Sequence, residues 1–421
     1  MAGVAWPDVR SAFQSLKAKA KRRPDLRPAI IKLSSLLVKL ESASFDLKFV
    51  TETCANLRQE LVLLYRAFLL EMLQLASALF DCIQTRKTAK NLFILHSWEH
   101  VQKLTLSGIL DYLEETRSSD QEIYETIAEH MFPVMCRYFF PSESSVNYEE
   151  ISIELKTTVY IFLSDTAKNH SLQRKLRDPK LLGGARFGLE LARVRAYLHL
   201  EALFELLEKL VPENSDERDL FVDSIFNPAL FTRHQELKDI ITSLKNQPWD
   251  EVFPMIVQIF ARMSIRYPQP IPITNATFSD TSPCPSETLY VDQRGLTYNI
   301  DVDDAIDTCH IAYHNIVKIR YSRYSQPSIS TTTFNFELAV PPTVGKDTPE
   351  PQAVTLTISV PRHKRDDFLK ALKARGVSCL FDQTERKISL AVSDSLLDFS
   401  NQPEDPPRSF PVSFVNPFWC H

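Results

Sequence analysis

His96-Ser97-Trp98-Glu99-His100 is the segment whose residue types could most directly do chemistry. On a helix, the H-x-x-E-H spacing puts two imidazoles and a carboxylate on one face, as in an inverted zinc-protease motif. Hydrolysis would also need a third protein ligand and an open coordination position. Leu95, Trp98 and Val101 mark the apolar side of the same helix, so the expectation is a solvated polar strip.

Three other groups invite a chemical reading. Asp301-Val302-Asp303-Asp304-Ala305-Ile306-Asp307 begins like a calcium loop. An EF-hand would need an oxygen ligand at Ala305, glycine at Ile306 and glutamate at Ala312, so an acidic turn between strands is expected. His310 and His314 lie four apart on an expected strand, about 13 Å from each other at strand rise, too far to share a metal. Gly183, Gly184 and Gly188 have neither dinucleotide-fold nor P-loop spacing and are expected where a loop enters a helix. No metal or cofactor is expected.

Two basic clusters remain. Lys17, Lys19, Lys21, Arg22, Arg23 and Arg27 are expected at the end of the first helix and in the following turn, and Arg174, Lys175, Arg177 and Lys180 between two later helices. Solvated surface is the ordinary reading of such runs. Either could instead hold an acidic peptide or a phosphate backbone. The candidate partner-binding residues are Arg174, Lys175, Arg177 and Lys180, with Lys17, Lys21, Arg22 and Arg23.

A net charge of −5 gives no global attraction to nucleic acid or anionic membrane, so direct nucleic-acid binding through these patches is the weaker expectation. The longest apolar run, Leu61 to Ile83, is interrupted by Arg66, Glu71 and Asp81 and reads as a buried helix, not a membrane span. The N-terminus has no signal-peptide pattern. Seven scattered cysteines without a CxxC pair read as reduced thiols of the cytosol or nucleus.

The elements that must position these residues divide the chain. Residues 1–265 read as an all-helical, repeat-like domain of about ten helices by their apolar spacing. In Leu189–Val211 the positions Ala196, Leu200, Leu203, Leu207 and Leu210 form one stripe; Tyr197, Phe204 and Val211 form a second. Pro133, Pro141, Pro179, Pro212 and Pro228 are expected at helix ends. Residues 266–286 read as a proline-rich linker or extended wrap.

Residues 287–395 read as β-rich. Glu287–Asp292 and Leu296–Asp301 flank Gln293-Arg294-Gly295, a hairpin turn with glycine expected at positive φ. His310–Tyr321, Thr331–Val340 and Ala353–Val360 are further expected strands, although Ile316 breaks the alternation of the first. A helix over Arg362–Arg375 buries Phe368, Leu369 and Leu372 and stops at Gly376. Short strands are expected in Ser378–Val392, and residues 396–421 form a proline-rich tail. The expected fold class is α+β multidomain: an irregular armadillo/HEAT-like helical stack, with a single globular helical bundle as the alternative, followed by a smaller pleckstrin-homology-like β-domain.

In order of elements, and through Leu289–Ile300 (LYVDQRGLTYNI), Ile311–Tyr321 (IAYHNIVKIRY) and Leu356–Val377 (LTISVPRHKRDDFLKALKARGV), the chain resembles the N-terminal module of meiotic chromosome-axis proteins, the synaptonemal complex protein 2 family and its fungal counterparts. The resemblance implies a non-enzymatic nuclear scaffold that recruits chromosome or chromatin proteins. It transfers no functional residue. One alternative is a peripheral-membrane or trafficking adaptor whose β-domain binds lipid or protein, with phosphoinositide held on the first hairpin. The second is a zinc hydrolase using His96, Glu99 and His100.

Overall fold

The computed structural model describes scattered positions between 8 and 32, then residues 69–81, 83, 92–116, 121–140, 152–243, 249–278, 287–302, 305–321, 330–344 and 353–377. The chain is α+β, helical first and β-rich after. Residues 69–81 are helical and bury Met72, Leu73, Ala76 and Leu79. Nine helices follow among the described residues: α1 Leu92–Thr116, α2 Gln121–Phe139, α3 Ile153–Thr166, α4 His170–Arg177, α5 Gly183–Arg193, α6 Tyr197–Leu210, α7 Ser215–Ile225, α8 His234–Ser243 and α9 Trp249–Met263. No described helix is long and apolar enough to cross a membrane.

Proline does its expected work at Pro179, Pro212 and Pro228, which lie just past the ends of α4, α6 and α7. Pro133 departs from expectation, because it lies inside α2. A mid-helix proline costs about 3 kcal/mol through a lost hydrogen bond and a clash. Here Ile127, Ala128, Met131, Phe132, Met135 and Cys136 are all buried around it, and that packing holds the helix together. Arg186 then serves the end of α2, donating Nε–H to the Phe140 carbonyl at 2.8 Å and Nη2–H to that of Cys136 at 2.5 Å.

The stretch Leu189–Val211, continuous by its stripes, is broken in the structure. Helix α5 ends at Arg193, Val194 and Ala196 are extended, and α6 starts at Tyr197. Apolar spacing continues across the break, so periodicity alone misses it. Its cause is tertiary: Gln293 N donates to the Arg195 carbonyl and Tyr197 N to Asp292 Oδ2.

The β-rich part holds β1 Gln269–Pro272, β2 Asn275–Phe278, β3 Thr288–Val291, β4 Gly295–Val302, β5 Ala305–Ala312, β6 Ile316–Tyr321, β7 Thr331–Leu338, β8 Thr343–Val344, β9 Val354–Pro361 and helix α10, Arg365–Ala374. One antiparallel sheet has the order β1-β3-β4-β5-β8, the other β2-β9-β7-β6. Part of the segment read as a linker is therefore sheet: Ile271 pairs with Leu289 on one side, and Ala276 with Ile358 on the other. Proline is tolerated because β1 is an edge strand. The expected strand His310–Tyr321 is interrupted by a 3₁₀ turn at Tyr313–Asn315, and that turn is why Ile316 broke the alternation.

Both sheets and α10 share one core, in which Phe368 meets Phe334 edge-on at 4.8 Å between ring centroids. Gly376 stops α10 at φ +76°, a region costly for side chains with a Cβ. Gly295 is not at positive φ. It is required by close approach instead, since a Cβ there would lie 2.1 Å from the Ile311 carbonyl oxygen. Residues 378–421 fall outside the described residues, and with them the expected strands of Ser378–Val392 and the tail.

Candidate interaction surface

Helix α4 is short and strongly two-faced. Asn169 caps it, its Oδ1 accepting from Leu172 N at 3.0 Å. Leu172 and Leu176, one turn apart, are buried. The opposite stripe carries Ser171, Arg174, Lys175 and Asp178 at i, i+3, i+4 and i+7. Together with Arg177 these residues line an open depression of about 480 Å³. Arg174, Lys175 and Lys180 make no ion pair among the described residues.

Arg177, grouped with them by sequence, has a different role. Its Nη1 donates to the Leu210 carbonyl at 3.2 Å, at the C-terminal end of α6. Burial lowers its pKa and the neighbouring Arg174 adds to this, while Glu217 of α7 opposes both. A cation on the last turn of a helix satisfies a carbonyl and complements the helix dipole. So the cluster divides into a helix-capping Arg177 and a group without ion pairs, the exposed Arg174 and Lys180 with the half-buried Lys175. Lys17, Lys21, Arg22 and Arg23 lie outside the described residues, as do Lys19 and Arg27.

The remaining candidates fall elsewhere. Glu99 is buried, 2% exposed, and accepts from Ser152 N at 3.1 Å at the start of α3. His100 is exposed, and the side chain of His96 is outside the described residues. Among the described residues no group of three or more His, Cys, Asp or Glu is placed to hold a metal. Asp301 and Asp307 lie on the paired strands β4 and β5. His310 shares a hydrogen bond with Thr297 Oγ1 at 3.0 Å, and His314 lies in the 3₁₀ turn beyond it.

Gly184 and Gly188 face helix α7, where a Cβ on Gly188 would stand 2.1 Å from the Ile225 carbonyl oxygen. Two glycines one turn apart let α5 and α7 pack at backbone distance. Gly183, at φ +61°, opens the helix.

Sequence reading missed the joint between the two parts of the chain. Ala196 precedes α6 and has no side-chain oxygen to cap it. Asp292, at the end of β3, supplies one: its Oδ2 accepts from Tyr197 N at 2.7 Å. Oδ1 of the same carboxylate accepts from Arg294 N at 2.7 Å and Gly295 N at 3.0 Å. Gln293 N donates to the Arg195 carbonyl at 3.1 Å, in the gap between α5 and α6. The break in the helical stripe is where the β3–β4 turn docks.

Rings and guanidinium groups seal this joint. Tyr197 stacks on Tyr290 at 3.9 Å between centroids, and Arg195 lies over the Tyr267 ring at 4.6 Å. Arg375, just past α10, donates to the carbonyls of Asp292 at 2.9 Å and Tyr267 at 2.9 Å. Arg294 pairs with Glu154 of α3. Burial opposes ionisation of Glu154, but the Arg294 charge and hydrogen bonding outweigh it and hold its carboxyl below the ordinary range. The sequence offered one signal for all this, an aspartate before a tight turn facing a helix start with no cap of its own.

No protein-family model and no curated protein matches this chain. A solved structure described as Vav1 inhibited by an allosteric inhibitor is similar at 11% identity over 79% of this chain and 83% of that one. Its TM-score of 0.20 supports no argument about common fold or function.

Proposed function

We propose that this protein is a non-enzymatic interaction scaffold that captures an anionic segment of a protein partner on the exposed stripe of α4. One observation carries the reading: Arg174 and Lys175 line an open depression and have no ion-pair partner among the described residues. Cations left unneutralised within one turn repel each other, and an incoming anion relieves that repulsion. We take the helical part as an irregular armadillo/HEAT-like stack and the β part as pleckstrin-homology-like. Two small antiparallel sheets that share a core with a C-terminal helix are consistent with the latter. With the resemblance to chromosome-axis modules, this favours a nuclear scaffold that recruits chromosome proteins.

The membrane-adaptor reading asks the first hairpin, β3–β4, to meet lipid. Asp292 in its turn is 2% exposed against α6, and Arg294 is committed to Glu154. That hairpin is occupied by the helical part of the same chain, and this disfavours the adaptor.

The test is affinity capture from native extract with three forms of the full chain: wild type, Arg174→Glu/Lys175→Glu, and a β-domain control, Lys370→Glu/Lys373→Glu, on exposed positions of α10. Chromosome proteins captured by wild type and control, and lost from the α4 variant, support the proposal. Capture lost only from the control would move the site to the β-domain. Recovery of membrane-trafficking proteins would favour the adaptor.

A further inference from the structure

The α4 stripe has a finer chemistry than a generally basic surface. Ser171, Arg174 and Lys175 stand at i, i+3 and i+4, so a hydroxyl, a guanidinium and an ammonium sit over a single helical turn. All three line the same depression. Ser171 and Arg174 are exposed, and Arg174 and Lys175 make no ion pair among the described residues. The fourth member of the stripe, Asp178, is engaged, its Oδ1 accepting from Lys180 N at 2.9 Å.

Donors packed this closely match a compact dianion better than a spread-out run of carboxylates. A phosphate monoester presents three strong acceptor oxygens and close to two negative charges at one point. A guanidinium fork and a neighbouring ammonium are the side chains that best serve such a group. Ser171, in the first turn of α4, adds a neutral donor.

The surroundings restrict what can carry the phosphate. Glu213, in the α6–α7 turn, and Glu217, in the first turn of α7, are both exposed. Glu217 is close enough to act on Arg177, and Glu213 lies 3.7 Å from His170 at the start of α4. A membrane sheet or a nucleic-acid duplex would bring its charges against this acidic border as well as onto α4. A single phosphate on a narrow peptide reaches the stripe and avoids the border.

The geometry points to Ser171, Arg174 and Lys175 as a phosphate-monoester site that takes a phosphoserine- or phosphothreonine-bearing segment of a protein partner. This rests on α4 being the partner surface, and it names the group that surface reads.

The probes are degenerate peptide pools fixed on a central phosphoserine, with matched pools fixed on glutamate and on serine. Binding to the full-length protein is read by fluorescence anisotropy. Vesicles containing phosphatidylinositol phosphates and a DNA duplex serve as further arms. The phosphoserine pool should bind at least about tenfold tighter than the glutamate pool, a difference of about 1.4 kcal/mol. Arg174→Glu/Lys175→Glu should abolish that preference, and Ser171→Ala should weaken it several-fold. Both variants should keep the wild-type melting temperature, so lost binding is not lost folding.

Equal binding of the phosphoserine and glutamate pools would overturn the phosphate site and leave an acidic-partner surface standing. Vesicles or duplex binding more tightly than the peptides, through the same residues, would overturn the choice of a protein segment. No Arg174-dependent binding in any arm would overturn the phosphate site and the partner surface together.

Discussion

Asp292 caps a helix that begins 95 residues before it: its Oδ2 accepts the Tyr197 N–H at 2.7 Å, where Ala196 offers no oxygen. The same carboxylate holds its own turn through Arg294 N and Gly295 N. The β-rich part thus completes the helical part as well as following it in sequence.

Replacing Asp292 by alanine leaves these N–H groups without their acceptor at a site 2% exposed. A lost cap costs about 1 kcal/mol and each buried unsatisfied donor about 1–3 kcal/mol. Asp292→Ala should therefore lower stability by about 3 kcal/mol in urea denaturation, and Asp292→Asn by less. A change under about 0.5 kcal/mol for alanine, the level of an ordinary surface substitution, would contradict the capping role.

Limited proteolysis should spare residues 269–278, which both sheets bind as strands. After a first cut between the two parts, the fragments should co-elute on size-exclusion chromatography. The Tyr197–Tyr290 stack, the Arg375 hydrogen bonds and the Asp292 cap all cross the joint. Fragments that separate at once under native conditions would show the joint to be weak.

The α4 cations should divide by role. Arg177→Glu removes the donor to Leu210 O and places a like charge at a helix C-terminus, so it should cost about 1–2 kcal/mol. Arg174→Glu and Lys175→Glu should each shift stability by less than about 0.5 kcal/mol. Thermal melts of the three single variants check this, and a neutral Arg177→Glu would return Arg177 to the group with Arg174 and Lys175.

His199 makes the helical core sensitive to acid. It is 4% exposed, stacks on Tyr160 at 5.0 Å between centroids, and lies 3.6 Å from Glu190, which accepts from Tyr160 OH at 2.8 Å. Burial, with Lys156 adding to it, lowers the His199 pKa to about 3. The unfolded chain then takes up a proton near pH 6.5 that the folded chain refuses. Stability from this residue is complete above about pH 6.5 and falls as pH drops toward 3, by up to about 1.4 kcal/mol per unit. Glu201, raised to about 7 by burial, works in the opposite direction over pH 4.5 to 7. Urea unfolding of wild type and His199→Phe at pH 7.5 and pH 5 isolates the histidine. The variant should gain on wild type at the lower pH, and a pH-independent difference would exclude the role.

Much of the fold was legible where the physics is local. Prolines after α4, α6 and α7, the β3–β4 hairpin and the Gly376 stop all follow from short-range chemistry. What escaped is long-range. The Arg193–Tyr197 break carries no local signal, because apolar spacing continues across it and its cause is a turn nearly a hundred residues away. Pro133 was misplaced because buried neighbours outweighed a local rule. At the candidate site, Arg174, Lys175 and Arg177 of the sequence cluster line one depression, and Lys180 does not. Sequence could not separate Arg177, whose partner is a backbone carbonyl 33 residues on.

Arg174 and Lys175 are proposed to receive the partner. The direct measurement is the association rate of the captured partner with full-length wild type and with Arg174→Glu/Lys175→Glu, over roughly 50 to 500 mM salt, where the screening length shrinks several-fold. Wild type should associate about tenfold faster than the variant at low salt, and the two should converge at high salt as screening removes the attraction. Equal rates at every salt concentration would contradict the account.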